Sequence, residues 1–445
     1  MTATLTKTEY ETIVETYITD CLSGKILTCR YVQLAIQRLQ RDLETAIEKG
    51  LYFDAEAAEH VIEFFALLKH SKGQWAGQNF YLEPWQMFIL WVVFGWKNID
   101  GTRRFKTVYE EIARKNGKST LIAGLGLYGL AFDSEAGSEV YSVATKEDQA
   151  RITFGEGQSM TQKSGCLGGL ATVHKKSISI DATDSSWKPL GRDSKNQDGL
   201  NPHYILVDEF HAHPDRSMLD VMDSAVGSRL QPLVFIITTA GFNKQSACYI
   251  EREYAIKILE GIIEDDSFFA IIFTLDRDEK GKLLDDWTDE NCWIKANPNL
   301  DITVSRKDMH RMCKKAIESP SAQNNFLVKK LNIWTTQKVK WINLTKWDAC
   351  KERIDEVDLV GKLCYGGIDL SSNTDITANV MVFPMESGRF AVVPRFWIPA
   401  ENARERENRD GVPYTSWAKA GYIKMTEGNV IDYDIVMADI MADCE

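Results

Sequence analysis

Two short segments constrain this chain more than anything else in it. Residues 114–120 read Arg114-Lys115-Asn116-Gly117-Lys118-Ser119-Thr120, and residues 205–209 read Ile205-Leu206-Val207-Asp208-Glu209. A loop that grips a polyphosphate wraps backbone N–H groups and a helix N-terminus around it. A lysine then reaches the outer phosphates, and a hydroxyl holds Mg²⁺. Lys118 fits the lysine and Ser119 the hydroxyl, and Leu121-Ile122-Ala123-Gly124-Leu125 continues as the apolar helix such a loop feeds. The fit is incomplete, because the first glycine of G-x-x-x-x-G-K-[ST] falls on Ile112. Alone, Gly117-Lys118-Ser119 also reads as a chance surface tripeptide.

The second segment narrows the choice. Asp208 ends an apolar strand, where a carboxylate can organise Mg²⁺ through its water shell, and Glu209 beside it can act as general base for a water molecule. A strand ending in an acidic turn is the plainer reading of that pair. A third apolar strand, Leu233-Val234-Phe235-Ile236-Ile237, ends in Thr238-Thr239-Ala240-Gly241, whose polar groups can sense a γ-phosphate. Together the three predict a nucleotide-hydrolysing α/β core. Upstream, Leu82-Glu83-Pro84-Trp85-Gln86 offers a glutamine amide that can pair with adenine N6 and N7 and an aromatic ring to pack on the base. The same residues also read as a helix start with proline in its first turn.

Composition limits what surrounds this core. The 445 residues are 44% hydrophobic and 26% charged, an ordinary globular balance with room for two or three domains. A net charge of −12 argues against a basic coat wrapped on nucleic acid, though not against a local basic channel. The start reads as no signal peptide, and the longest apolar run, residues 87–94, is too short to span a bilayer. Nine scattered cysteines without a C-x-x-C pair suggest free thiols in a reducing cytosol.

Residues 1–75 read as a helical region, with apolar residues at helical spacing over 31–39 and 60–68. Residues 76–245 alternate apolar strands (139–144, 204–207, 233–237) with helices, the pattern of a parallel sheet covered on both faces. Residues 246–350 read as a mainly helical lid or linker with one strand at 269–274. Residues 351–445 read as a β-rich unit whose runs at 363–369, 377–383 and 389–394 suggest an antiparallel meander. In that unit Asp369 ends a predicted strand and Asp375 follows six residues later. Two-metal nucleases hold Mg²⁺ or Mn²⁺ on such a strand, and turn-forming aspartate is the alternative. Asp432, Asp434 and Asp439 read as the cap and solvated face of a helix.

In this order the segments resemble the large terminase subunit of tailed bacteriophages, the DNA-packaging motor, over essentially the whole chain. The likeness includes Trp85-Gln86, a deviant Walker A sequence with arginine at 114, and residues 144–150. It continues through the Walker B pair Asp208-Glu209, the coupling segment 238–241, a bridge from Asn332-Ile333-Trp334 to Trp341, and Gly367-Ile368-Asp369-Leu370-Ser371 as a first nuclease strand. The resemblance implies a RecA/ASCE-like P-loop ATPase with N-terminal helices and a helical lid, followed by an RNase H-like nuclease. It implies ATP with Mg²⁺ at Trp85, Gln86, Arg114, Asn116, Gly117, Lys118, Ser119, Thr120, Asp208 and Thr239. Ser119 and Asp208 would be the metal ligands, and Lys118 and Glu209 would be catalytic. Asp369 would hold Mg²⁺ or Mn²⁺ for nuclease chemistry. Arg114 would contact nucleotide in cis, and Arg229 would be offered to a neighbouring subunit, an ordinary surface arginine being the alternative.

The implied partners are double-stranded DNA, a portal protein and a small terminase subunit. The working form is a homo-oligomeric ring, a monomer being compatible with isolation, with no membrane involved. Its place is the cytoplasm of an infected or lysogenic bacterium, transiently at the prohead portal. Lys329-Lys330 and Lys338-Val339-Lys340 are candidates for a DNA-lining surface, or ordinary solvated lysines. Family nuclease domains continue past the point matched by Glu445, so the expectation is a truncated chain with an incomplete, impaired nuclease. Two other classes stay open: an inactive prophage remnant or assembly protein that only docks on partners, and a helicase-type P-loop ATPase. The helicase should have a second RecA-like domain, for which residues 245–345 look too short and too helical.

Overall fold

The structure, a computed structural model, describes residues 8–191, 200–225, 227, 229–335, 347–352, 354–371, 375–386, 388–410 and 412–444. The chain forms two compact units, Met1–Asn343 and Leu344–Glu445.

The first unit opens with helices α1 (Glu9–Leu22), α2 (Arg30–Thr45), α3 (Ala55–Leu67) and α4 (Pro84–Gly95); the short strands β1 (Leu51–Phe53) and β2 (Trp96–Asn98) pair antiparallel. In α2 the buried Val32, Ala35, Ile36 and Leu39 recur at three- and four-residue spacing, so one stripe faces inward. Asp54 caps α3 by accepting from the Ala57 N–H. From Trp85 to Gly95, α4 is buried on every face, as a helix apolar all round must be. These helices share one hydrophobic core with the sheet that follows.

That sheet contains β3 (Thr107–Glu111), β4 (Glu139–Ala144), β5 (Thr172–Val173), β6 (Ile178–Ile180), β7 (Ser185–Gly191), β8 (Tyr204–Asp208), β9 (Leu233–Thr238) and β10 (Phe268–Ile272). Its order is β10-β3-β9-β8-β4-β7-β6-β5. The pairs from β10 to β7 are parallel, and β7-β6-β5 closes antiparallel. All six residues of β9 are buried, as expected where helices cover both faces. Helices α5 (Lys118–Ala131), α6 (Glu147–Lys163), α7 (Ser217–Ala225) and α8 (Ala247–Leu259) connect the strands. Although β3 leads through α5 to β4, β9 and β8 lie between them, so the C-terminal ends of β3, β9 and β8 are adjacent. In open α/β sheets ligands collect at such a place. The strand predicted within the lid is β10, and it pairs with β3 as part of this sheet. The remainder of the lid, with α9 (Arg306–Glu318) and α10 (Pro320–Leu331), has its own core around Trp293, Met309, Phe326 and Leu331.

The second unit holds β11 (Tyr365–Asp369), β12 (Thr377–Pro384), β13 (Phe390–Pro399), α11 (Ala403–Asp410), α12 (Tyr414–Lys419), β14 (Lys424–Thr426) and α13 (Tyr433–Cys444). The expected meander forms from β11, β12 and β13, and β14 adds parallel to β13. Edge strand β11 has all five residues exposed. Its small cores gather around Phe383 and Val393, Ile398 and Tyr414, and Trp397 and Val436. Among the described residues no helix is long and apolar enough to cross a membrane.

Candidate active site

The phosphate loop is a tight turn between β3 and α5. Ile112 needs no glycine because it still belongs to the sheet: it is buried, and its N–H donates to Thr238 O at 3.0 Å. The turn instead uses two left-handed residues, Lys115 (φ 77°) and Gly117 (φ 85°). Glycine takes that conformation freely, whereas at Lys115 it costs about 1 kcal/mol. The lid holds the loop in place. Asn116 is fully buried; its Nδ2 donates to Ala113 O and to Asn297 Oδ1 (both 3.1 Å), and its Oδ1 accepts from Asn299 N–H (3.1 Å). Asn299 Nδ2 donates to Asn116 O, Thr303 Oγ1 to Lys115 O, and Arg114 N–H to Lys329 O.

Beside this loop opens a cleft of about 900 Å³. Its lining includes Gln86, Arg114, Gly117, Lys118, Ser119, Thr120 and Glu209. Lys118 is buried, with Nζ 3.2 Å from the carbonyl oxygens of Ile112 and Ala113. Burial lowers its pKa, and the carboxylates of Glu209, Asp208 and Glu110 oppose that shift. Ser119 Oγ donates to Asp208 Oδ2 at 3.2 Å, and Thr153 Oγ1 donates to the same oxygen at 3.1 Å. Burial first, then the neighbouring charge of Glu209, pushes Asp208 above the usual carboxylate range. Asp208 Oδ1 is buried and has no hydrogen-bond partner. A hydroxyl paired with a carboxylate that still has an unsatisfied oxygen fits a hard divalent cation such as Mg²⁺, which takes one or two such protein ligands and keeps water on the rest.

Glu209 follows in a left-handed conformation (φ 53°), its N–H bonded to Ile237 O. That turn brings its carboxylate to Thr239 Oγ1, which donates to Oε2 at 3.3 Å. The predicted Lys118, Ser119, Asp208, Glu209 and Thr239 therefore converge across β3, β8 and β9. The lining does not include Trp85, Asn116, Asp208 or Thr239.

Two expectations, those for Trp85 and Arg229, need correction, and the side chain of Asn116 is committed to the lid. Trp85 does not present its ring to the cleft: it is buried, Nε1 donates to Asn299 Oδ1 at 2.7 Å, and the ring meets Phe273 edge-on. Aromatic surface comes instead from His70, Trp75 and Tyr81 in the loop before α4, with Ile302 from the lid. Asn116 spends its side chain on the lid, leaving only its backbone for a phosphate. Arg229 is not free for a neighbour. It bonds the carbonyls of Asn201, Ala136 and Gly137 and pairs with Glu135 at 3.2 Å, its side chain only 8% exposed. These groups precede β4, β8 and β9, at the sheet end opposite the phosphate loop.

The helix-start reading holds for Gln86. It closes a capping box with Glu83, accepting the Glu83 N–H at 3.0 Å, and it also lines the cleft. Several site residues escaped sequence reasoning: Asn297, Asn299 and Thr303 from the lid, Thr153 on α6, His211, and Glu110 on β3. Only His211, two residues after Glu209, had a signal in its spacing.

In the second unit Asp369 lies on exposed β11, opposite Ala378 of β12. Asp375 is exposed in the following turn, where its own side chain accepts the Ile376 N–H. Asp432 caps the last helix, and Asp439 binds Trp397 Nε1 and Lys424. Among the described residues no three His, Cys, Asp or Glu side chains cluster to hold a metal, so these donors do not fit a two-metal centre. Lys329 and Lys330 are half-buried at the end of α10, and Lys338-Val339-Lys340 and Trp341 lie outside the described residues.

Residues 84–257 match the family described as Terminase large subunit, ATPase domain, and residues 262–442 match Terminase large subunit, endonuclease domain. This chain belongs to the terminase large subunit family. The large terminase subunit of Enterobacteria phage HK97 is 29% identical over 385 residues, covering 85% of this chain and 72% of that protein. The crystal structure of the HK97 large terminase superposes with a TM-score of 0.54 at 27% identity, over 87% of this chain and 78% of that one. Protein YmfN of Escherichia coli K12 is 30% identical over 284 residues; the match spans 60% of its length, less than two thirds, and 62% of this chain. The terminase ATPase region thus includes the phosphate loop, the Asp208-Glu209 pair and the 238–241 segment. The endonuclease match begins within the first compact unit and runs into the second.

Proposed function

We propose that this chain hydrolyses ATP in the cleft beside Lys118 and uses the cycle to move double-stranded DNA as the large subunit of a packaging motor. The observation that supports this best is the 3.2 Å contact between Ser119 and Asp208, with Lys118 and Glu209 lining one cleft. Lys118, the loop N–H groups and the N-terminus of α5 bind the phosphates. Arg114 adds positive charge at the cleft wall. Gln86 Nε2 offers a donor to the adenine, and Tyr81 and Ile302 offer it apolar surface. Ser119 and Asp208 would hold Mg²⁺, which, when bound, neutralises charge on the transferring phosphate. Glu209 takes the proton from the attacking water.

In this reading the motor assembles as a homo-oligomeric ring in the bacterial cytoplasm and meets a portal protein and a small terminase subunit. Cutting of concatemeric DNA would be the second activity of such a motor, with Asp369 contributing at most one metal donor from the second unit. Binding of ATP·Mg²⁺ measured by calorimetry tests the cleft. Lys118→Ala should weaken binding by about tenfold or more, the loss of one charge-assisted contact. Equal affinity in both proteins would remove the assignment.

A further inference from the structure

We propose that His211 is a positioning residue for ATP hydrolysis: through Thr239 it fixes the Glu209 carboxylate and ties it to the end of strand β9. The inference rests on the ATPase reading above and assigns a role to a side chain outside the phosphate loop and the Asp208-Glu209 pair. His211 lies in the single helical turn Phe210–Ala212, entered through the left-handed Glu209. Its backbone N–H donates to Thr238 Oγ1 at 3.0 Å. Its Nδ1 lies 3.2 Å from Thr238 Oγ1, 3.3 Å from Thr239 Oγ1 and 3.1 Å from Glu209 Oε2. One ring nitrogen thus meets the catalytic carboxylate and both threonines of the proposed sensing segment.

The Thr238 hydroxyl gives its hydrogen to Thr239 O at 3.1 Å, and the Thr239 hydroxyl gives its hydrogen to Glu209 Oε2 at 3.3 Å. The Glu209 carboxylate is acceptor-only. With the two hydroxyl hydrogens placed so, every neighbour of Nδ1 offers it a lone pair, and the proposed arrangement puts the imidazole proton on Nδ1. Burial lowers the His211 pKa, Glu209 opposes the shift, and Arg114, Lys118 and Lys329 reinforce it, so the ring is neutral at pH 7. The resulting chain runs from His211 Nδ1–H to Thr239 Oγ1–H to Glu209 Oε2 and leaves Oε1 for water. A displacement of residues 238–239 would carry the carboxylate with it, and the ring transmits that displacement.

Steady-state phosphate release by the full chain tests this, with wild type, Glu209→Gln, His211→Ala and His211→Asn compared. Asparagine places an amide N–H near the position of Nδ1. We expect His211→Ala to lower kcat about tenfold or more while KM for ATP stays within about twofold, because a group acting only on the base leaves nucleotide binding alone. His211→Asn should recover most of kcat. Wild-type kcat in His211→Ala, or an asparagine variant as slow as the alanine one with KM rising in both, would overturn the role while leaving the ATPase reading intact. A wild-type chain without turnover, or one indifferent to Glu209→Gln, would overturn both.

Discussion

At the scale of single residues, Glu110 is the least expected feature of the site. It is wholly buried on β3, and neither carboxylate oxygen has a hydrogen-bond partner. Burial pushes its pKa up to about 8, with Lys118 pulling it down and Asp208 adding to the rise. In the unfolded chain it titrates near 4.5. Between those values the folded protein holds a proton that the unfolded chain releases, so this group makes stability fall as pH rises across the window. The slope it contributes is at most about −1.4 kcal/mol per pH unit. Glu110→Gln removes the titration. Its stability relative to wild type, measured by urea unfolding, should rise steadily from pH 5 to pH 8; parallel pH profiles would show that Glu110 is ionised throughout. Sequence reading could not find this residue, since a glutamate in a strand looks like solvent-facing alternation until the packing covers it. Lys118, Ser119, Asp208 and Glu209 were legible because their chemistry fixes both residue type and spacing. Trp85 and Arg229 were misread because distant partners, Asn299 and Asn201 with residues 135–137, decide where those side chains go.

At the scale of elements, the ends of three strands meet on Asn332. It terminates α10 in a left-handed conformation (φ 54°), where asparagine is tolerated better than most residues. Its Oδ1 accepts from Ala240 N–H at 2.7 Å; its Nδ2 donates to Phe273 O at 2.7 Å and Glu111 Oε1 at 3.3 Å. Glu111 also accepts from Tyr109, Arg252 and Trp334. The ends of β3, β9 and β10 are thus fastened to the last turn of α10, which itself bonds the phosphate loop at Arg114. Asn332→Ala strips three bonds, leaves a buried N–H unpaired and puts a Cβ without compensation into the left-handed region. We expect a loss of about 2–4 kcal/mol in chemical denaturation. A loss under about 0.5 kcal/mol, the range of an ordinary surface substitution, would show that the junction is not structural. The strand pattern of the core was readable because parallel strands are unbroken apolar runs. The place of β10 was not, because a lone strand amid helices has no local mark of the sheet it joins. The lid's grip on Asn116 was equally hidden, since nothing in the local pattern around Asn297 and Asn299 links them to the phosphate loop.

At the scale of the whole molecule, the two units are unequally equipped. The first brings Lys118, Ser119, Asp208 and Glu209 together at the shared end of β3, β8 and β9. The second presents Asp369 on an exposed edge strand without a metal-holding cluster among the described residues. We predict that Mg²⁺- or Mn²⁺-dependent plasmid cutting by this chain depends on Asp369; cutting that Asp369→Asn leaves unchanged would contradict that. The family likeness was legible because several motifs occur in the right order, though each alone is common. The central claim is that Glu209 is the base of an ATPase built on these strands. Steady-state ATP turnover in wild type and Glu209→Gln, with nucleotide binding measured alongside, tests it most directly. The variant should bind ATP·Mg²⁺ about as well as wild type and turn over at least about 10²-fold more slowly, the usual effect of losing a general base. Equal turnover in the two proteins would show that Glu209 is not the base.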